Sequence, residues 1–210
     1  MSKRDYVHYG CGLSAPETWI NFDASPTLRI QHLPLIGWAM RSHLNVIFPG
    51  NVKYGNIVSG LPGLRADSCS GVYCSHVLEH LALNDFRKAM KNTYSMLKPG
   101  GIFRLVVPDL QYYIDEYCSN KEENAAIHFM ESTILGSKAR KKGIKGVLEY
   151  LFGNSKHLWM WDFKSMKEEL ESSGFIEIRR CQYGDSQDAM FLEVEDPGRF
   201  NNALAIECFK

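Results

Sequence analysis

The sequence predicts an α/β fold: a mostly parallel sheet of seven strands with helices on both faces. Two observations predict it. Short apolar runs alternate with stretches of helical periodicity along the chain, and glycine, proline or polar residues punctuate the junctions. The 210 residues suit one domain, 1–210, with a helical insertion at about 109–160.

Each element has its own signature. Tyr6–Tyr9 runs into Gly10-Cys11-Gly12, and Trp19–Phe22 runs into Asp23. Val52–Ile57 lies between Gly50 and Gly60, Gly71–Ser75 is a fourth strand, and Ile102–Val107, closed by Pro108, is a fifth. Phe175–Cys181 and Leu204–Phe209 complete the seven. Asn84 is positioned to cap a helix with Phe86, Met90, Tyr94 and Leu97 on one face, which Lys98-Pro99-Gly100-Gly101 ends. Asp162 is positioned to cap another, with Phe163, Met166 and Leu170 inward and Gly174 as the stop. Between strands five and six, about sixty residues (Asp109 to Glu171) carry helical patterning and are rich in aromatic side chains, among them Tyr112, Tyr150, Phe152, Trp159 and Trp161. One crossover helix needs far fewer residues, so part of this stretch is expected to form a lid or substrate wall at the carboxyl edge of the sheet.

Composition narrows the function. The 45% hydrophobic content is ample for a core, and 24 basic residues balance 24 acidic ones, so overall charge recruits neither nucleic acid nor an anionic membrane. The local basic run Lys138–Lys145 reads as a solvated helix end or loop. No apolar stretch reaches the ~18–20 residues of a membrane span, and the charged start lacks the apolar centre of a signal peptide. Six cysteines without a C-x-x-C pair fit a reducing cytoplasm better than a zinc ribbon or a disulfide framework.

In an open α/β sheet the ligand lies beyond the carboxyl ends of the strands, where strand order reverses. Gly10-x-Gly12 allows close backbone approach there, and Asp23, one strand later, is placed to accept hydrogen bonds from two ribose hydroxyls. A dinucleotide fits poorly: position 15 is alanine, only 13 residues separate Gly10 from Asp23, and Pro16 leaves little room for a pyrophosphate-binding helix.

Four segments together resemble one family. His8-Tyr9-Gly10-Cys11-Gly12 with Trp19-Ile20-Asn21-Phe22-Asp23, then Ser75–Leu81, then Leu97–Gly101 with Phe103–Pro108, then His157–Asp162 with Gly174-Phe175 are similar to a compact subgroup of class I S-adenosylmethionine (SAM)-dependent methyltransferases. The resemblance implies a Rossmann-like sheet with an antiparallel last strand and SAM as cofactor. It also implies a cofactor site of His8, Gly10, Cys11, Gly12, Asp23, Asn56 and Ser75: ribose on Asp23, adenine near Asn56, the methionine end near Ser75. Two positions depart from the pattern. His8 stands where an acid often meets the methionine ammonium, and Ser14 stands where relatives often carry glycine.

His76-x-x-Glu79-His80 invites three readings. As a metalloprotease motif it lacks the long helix that bears such ligands. The small-RNA 2′-O-methyltransferases coordinate a divalent ion through an E-x-x-E-H segment in this place; here His76 replaces the first glutamate, and His157 joins only if the insertion folds back. The third reading, preferred here, has Glu79-His80-Leu81 fixing the short helix start by hydrogen bonds, with His76 lining the cofactor pocket and no metal bound.

The catalytic candidates are therefore His76, Asp109 and His157, polar groups at the carboxyl edge able to take a proton from an acceptor. Trp159 and Trp161 suit a sugar or aromatic acceptor, or equally a core or lid. The expected activity is SAM-dependent methylation of a small molecule or saccharide on O or N. That places the chain in polysaccharide or secondary-metabolite biosynthesis, by family analogy. The alternatives are a catalytically silent SAM-binding regulator and a metal-dependent RNA 2′-O-methyltransferase. Expected partners are the small-molecule or saccharide substrate and a homodimer mate, with no nucleic acid and no membrane.

Overall fold

The structure, a computed structural model, describes residues 5–33, 46–139 and 156–210. Seven strands form one sheet in the order β3-β2-β1-β4-β5-β7-β6: β1 Tyr6–Tyr9, β2 Ile20–Asp23, β3 Val52–Tyr54, β4 Cys69–Ser75, β5 Leu97–Pro108, β6 Ile176–Arg180 and β7 Ala203–Phe209. The first five pair in parallel, and β7 runs antiparallel to both β5 and β6. The described helices are α1 Pro26–Gln31, α2 Leu83–Met96, α3 Leu110–Ser119, α4 Ala125–Ser132 and α5 Phe163–Ser172.

Alternation along the strands divides the core. Val7, Tyr9, Val72, Cys74, Phe103 and Leu105 face α2 and α5, where Phe86, Ala89, Met90, Met166 and Leu170 close the larger cluster. On the other face Trp19, Tyr73, Val106 and Ala205 are covered by Phe191 and Val194. Short 3₁₀ turns at Ala189–Glu193 and Pro197–Phe200 supply much of that cover. α1 adds Leu28 against Phe48, Cys11 and Val52.

Three local expectations are corrected. β3 stops at Tyr54, because Asn56 turns its side chain back to accept the Val58 N–H (2.9 Å) and starts a 3₁₀ turn at Ile57–Ser59. Ala82, not Asn84, is the N-cap of α2, so Asn84 lies inside the first turn. Leu97 leaves the helical face expected for it and pairs with Cys69, beginning β5. Asp162 caps α5 as expected, accepting the Ser165 N–H at 2.8 Å.

In the expected insertion, α3 and α4 meet through Tyr117 and Phe129, with ring centroids 5.7 Å apart, and neither helix fully buries a side chain. Tyr150, Phe152 and most of the basic run lie outside the described residues. Among the described residues no helix is long and apolar enough to cross a membrane.

Candidate active site at the carboxyl edge of the sheet

Strand order reverses between β1 and β4, so their carboxyl ends open the crevice where ligands bind in such sheets. Gly10 and Gly12 both take positive φ, +65° and +54°. Their reasons differ. A Cβ on Gly10 would overlap Cγ2 of Val77, so the protein itself requires glycine there, where the sequence suggested that a ligand did. A Cβ on Gly12 would meet nothing within 4 Å and would project into open space. Gly10→Ala is expected to cost about 2–3 kcal/mol in chemical denaturation from overpacking and left-handed strain. Adding Val77→Ala should return part of that loss, and a double variant no more stable than Gly10→Ala would refute the packing explanation.

The turn is tied to the acid that follows. Asp23 Oδ2 accepts the Gly12 N–H (3.0 Å), Oδ1 accepts the Ser25 N–H (2.7 Å), and the Cys11 N–H reaches the Phe22 carbonyl (3.1 Å). Each carboxylate oxygen thus has one protein donor and keeps acceptor capacity for a ligand. Asp23 is 9% exposed, at the lip of the crevice.

Beneath the turn lies a group of buried polar atoms. His8 is in register with Tyr73 on β4, and Ser75, two residues on, shares that face. His8 Nδ1, Tyr73 Oη and Ser75 Oγ are buried, and none completes a hydrogen bond within the protein. The His8 ring sits 5.2 Å from Tyr73 and 6.4 Å from Trp19; burial holds its pKa down at about 3, so it is neutral. Tyr73 was not anticipated. Its two-residue spacing from Ser75 was the signal available.

Of the three candidate bases, Asp109 and His76 are engaged by protein partners and His157 is buried. Asp109 caps α3 through Oδ1 to the Gln111 N–H (3.0 Å) and pairs through Oδ2 with Arg180 (3.2 Å). His76, at φ +54°, points Nδ1 at Glu79 Oε1 (3.3 Å) and Nε2 at the Arg199 carbonyl (3.0 Å). Burial opposes its charge, but the Glu79 carboxylate and that carbonyl outweigh burial and raise its pKa. Carboxylate and carbonyl oxygens thus face both ring nitrogens. His157 is buried, its pKa lowered by burial, with Nε2 4.0 Å from Glu79 Oε1.

The chain after the insertion does fold back. The Leu158 and Trp159 N–H groups donate to the Glu79 carbonyl at 2.7 and 3.1 Å, which brings His157 beside His80. The Glu79 carboxylate, completely buried, makes no hydrogen bond, contrary to the expectation that it fixes the helix start. Trp161 is core, its ring tilted against Phe86 with centroids 4.3 Å apart, whereas Trp159 is 41% exposed. Arg199, which supplies the carbonyl over His76, gave no signal in sequence. Asn56 is exposed, with its Oδ1 committed to the Val58 N–H.

These features fit SAM. Open space beyond Gly12, acceptor capacity on Asp23 and orphaned polar atoms near the end of β4 are what a ribose and an amino-acid tail require.

A methyltransferase-domain family model matches residues 17–177. No curated protein matches. Among solved structures, an Archaeoglobus fulgidus SAM-dependent methyltransferase is 16% identical with a TM-score of 0.51, the match covering 100% of this chain and 87% of that one. A Thermotoga maritima SAM-dependent methyltransferase, described as a possible histamine N-methyltransferase, is 16% identical with a TM-score of 0.52, covering 100% and 84%. At this identity the likeness carries the fold. The family match spans most of the chain, and with the strand order 3-2-1-4-5-7-6 and its antiparallel seventh strand the conclusion is direct: this chain belongs to the methyltransferase-domain family and is a class I SAM-dependent methyltransferase domain.

Proposed function

We propose that the chain transfers the methyl group of SAM to a small-molecule or saccharide acceptor, on O or N, at the carboxyl edge of β1 and β4. The cradle of Gly12 and Asp23 carries this reading: a positive-φ glycine bordering open space, locked to a carboxylate that keeps acceptor capacity. SAM supplies a methyl group already activated by its sulfonium charge. Gly12 and Asp23 would hold the ribose, Cys11 the turn beside it and the Asn56 amide the adenine edge. Ser75, with Tyr73 and neutral His8 behind it, would meet the methionine end.

What remains for the protein is to orient the acceptor and exclude water. Asp109, His76 and His157 are each held by protein partners or buried, which favours acceptors that need little help losing a proton, an unprotonated amine foremost. The described helices α3 and α4 of the expected insertion would form part of the substrate wall, with exposed Trp159 offering a flat face to a sugar or aromatic ring. Zero net charge favours such acceptors over RNA. The engagement of Asp109 and His76 and the burial of His157 also support a second reading, a SAM-binding protein without turnover. Formation of S-adenosylhomocysteine across an acceptor panel separates the two.

Calorimetric titration with SAM and S-adenosylhomocysteine, wild type beside Asp23→Ala, tests the cofactor site. Micromolar binding that the substitution weakens at least tenfold, about 1.4 kcal/mol, is the expected result. Circular dichroism of the variant separates lost contacts from lost folding, since Asp23 also holds two backbone N–H groups. Folded wild type that binds neither ligand overturns the reading.

A further inference from the structure

Glu79 is the anomaly of this edge. Its side chain is sealed from solvent, and neither oxygen has a hydrogen-bond donor. A buried carboxylate whose lone pairs meet no donor is costly unless a cation compensates it. Two imidazoles aim ring nitrogens at it from different parts of the chain: His80 Nε2 at 3.9 Å and His157 Nε2 at 4.0 Å from Oε1. Ligand atoms of Glu79, His80 and His157 all lie within 4.8 Å of one another.

We propose that Glu79, His80 and His157 bind a late first-row divalent metal ion, zinc being the ion to test first. The donor set, two imidazoles and a carboxylate, suits such an ion, and three protein ligands leave a position for water or an acceptor atom. Bonds of ~2.1 Å in a tetrahedron put ligands about 3.4 Å apart, so the two separations from Glu79 need close by about half an ångström and that between the imidazoles by at most about 1.4 Å. His80 has the outer support of a metal ligand: its Nδ1 lies 3.0 Å from the Lys156 carbonyl, which fixes the N–H there and leaves the Nε2 lone pair facing Glu79.

His76 stays outside the triad: its Nδ1 lies 3.3 Å from the same Oε1 without completing a hydrogen bond, and its Nε2 faces the Arg199 carbonyl. The ion would also fasten the chain returning from the insertion to the segment after β4. The backbone bonds from Leu158 and Trp159 to Glu79 already join those two segments. This inference does not depend on which acceptor is methylated or on whether turnover occurs.

The competing account is that a proton on His76 alone balances Glu79, leaving the approach of His80 and His157 incidental. Full-length protein stripped with chelator and then titrated with Zn²⁺ decides between them. About one equivalent bound per chain is expected, with affinity falling at least tenfold in His157→Ala and in His80→Ala and unchanged in His128→Ala, an exposed histidine on α4. Should the triad variants misfold, the absorption spectrum of Co²⁺ bound to wild type serves instead: nitrogen and oxygen ligation without thiolate bands supports the site. Thiolate bands, no stoichiometric uptake by folded wild type, or uptake indifferent to both triad substitutions would each overturn it.

Discussion

Replacing Arg104 by methionine is expected to destabilise the protein by about 3–5 kcal/mol, enough to unfold much of it at physiological temperature. Arg104 sits in the middle of β5, 1% exposed, among carboxylates that reach it from distant parts of the chain. Its Nε donates to Glu195 (2.7 Å), and its Nη1 donates to Glu207 on β7 (2.8 Å) and to Asp185 (3.1 Å). Its Nη2 donates to the Gln182 carbonyl at 3.0 Å. Glu207 has other help from Arg179 and Ser186, but Glu195, wholly buried, would keep only the Gly184 N–H. The loss is therefore mainly that of leaving Glu195 charged and unpaired.

Urea unfolding of Arg104→Met and of Arg104→Met/Glu195→Gln measures this directly. The double variant should recover a substantial part of the deficit, and a double variant as weak as the single one would sink the account. The consequence reaches the crevice. The Arg104 network holds residues 182–195, which lead into the 3₁₀ turn whose Arg199 carbonyl rests on His76.

The second large effect is in acid. His8 is buried between Tyr73 and Trp19 with a pKa of about 3, against about 6.5 for a free imidazole, because burial penalises its charged form. The unfolded chain therefore takes up a proton on this residue below about pH 6.5, while the native protein resists until about pH 3. The sign follows: stability from neutral His8 is intact above pH 6.5 and drains away as pH falls toward 3. The loss is about 1.4 kcal/mol per pH unit, roughly 4–5 kcal/mol in all.

His8→Phe keeps an aromatic ring in the same packing and removes the titration. Measured by urea unfolding between pH 7 and pH 4.5, the wild type should lose about 2–3 kcal/mol more than the variant over that interval. Parallel pH profiles would mean that His8 is protonated in the native state or is reached by water.

Much of this protein was legible without coordinates. The central strands were legible because strands buried on both faces read as short apolar runs, and β1, β4 and β7 fall within two residues of where those runs lie. The Gly10-x-Gly12 turn and Asp23 were legible for a similar reason: 13 residues of chain join them, too few to place the acid elsewhere than the next carboxyl end. Asp162 was readable as a cap because a cap's partner is three residues away.

What sequence could not fix was decided by contacts between distant residues. Gly10 is glycine because of Val77, and Arg104 is tolerable only because Glu195 and Glu207, 91 and 103 residues further along, fold back onto it. His157 stood in the sequence as a ligand only if the insertion returned. The bonds from Leu158 and Trp159 to the Glu79 carbonyl make that return, and they join a short histidine motif to His157 in one cluster. Local spacing determines strands, caps and turns, because those interactions span a few residues. Which polar side chains share a burial site depends on how the sheet brings its edges together, and only the tertiary structure decides that.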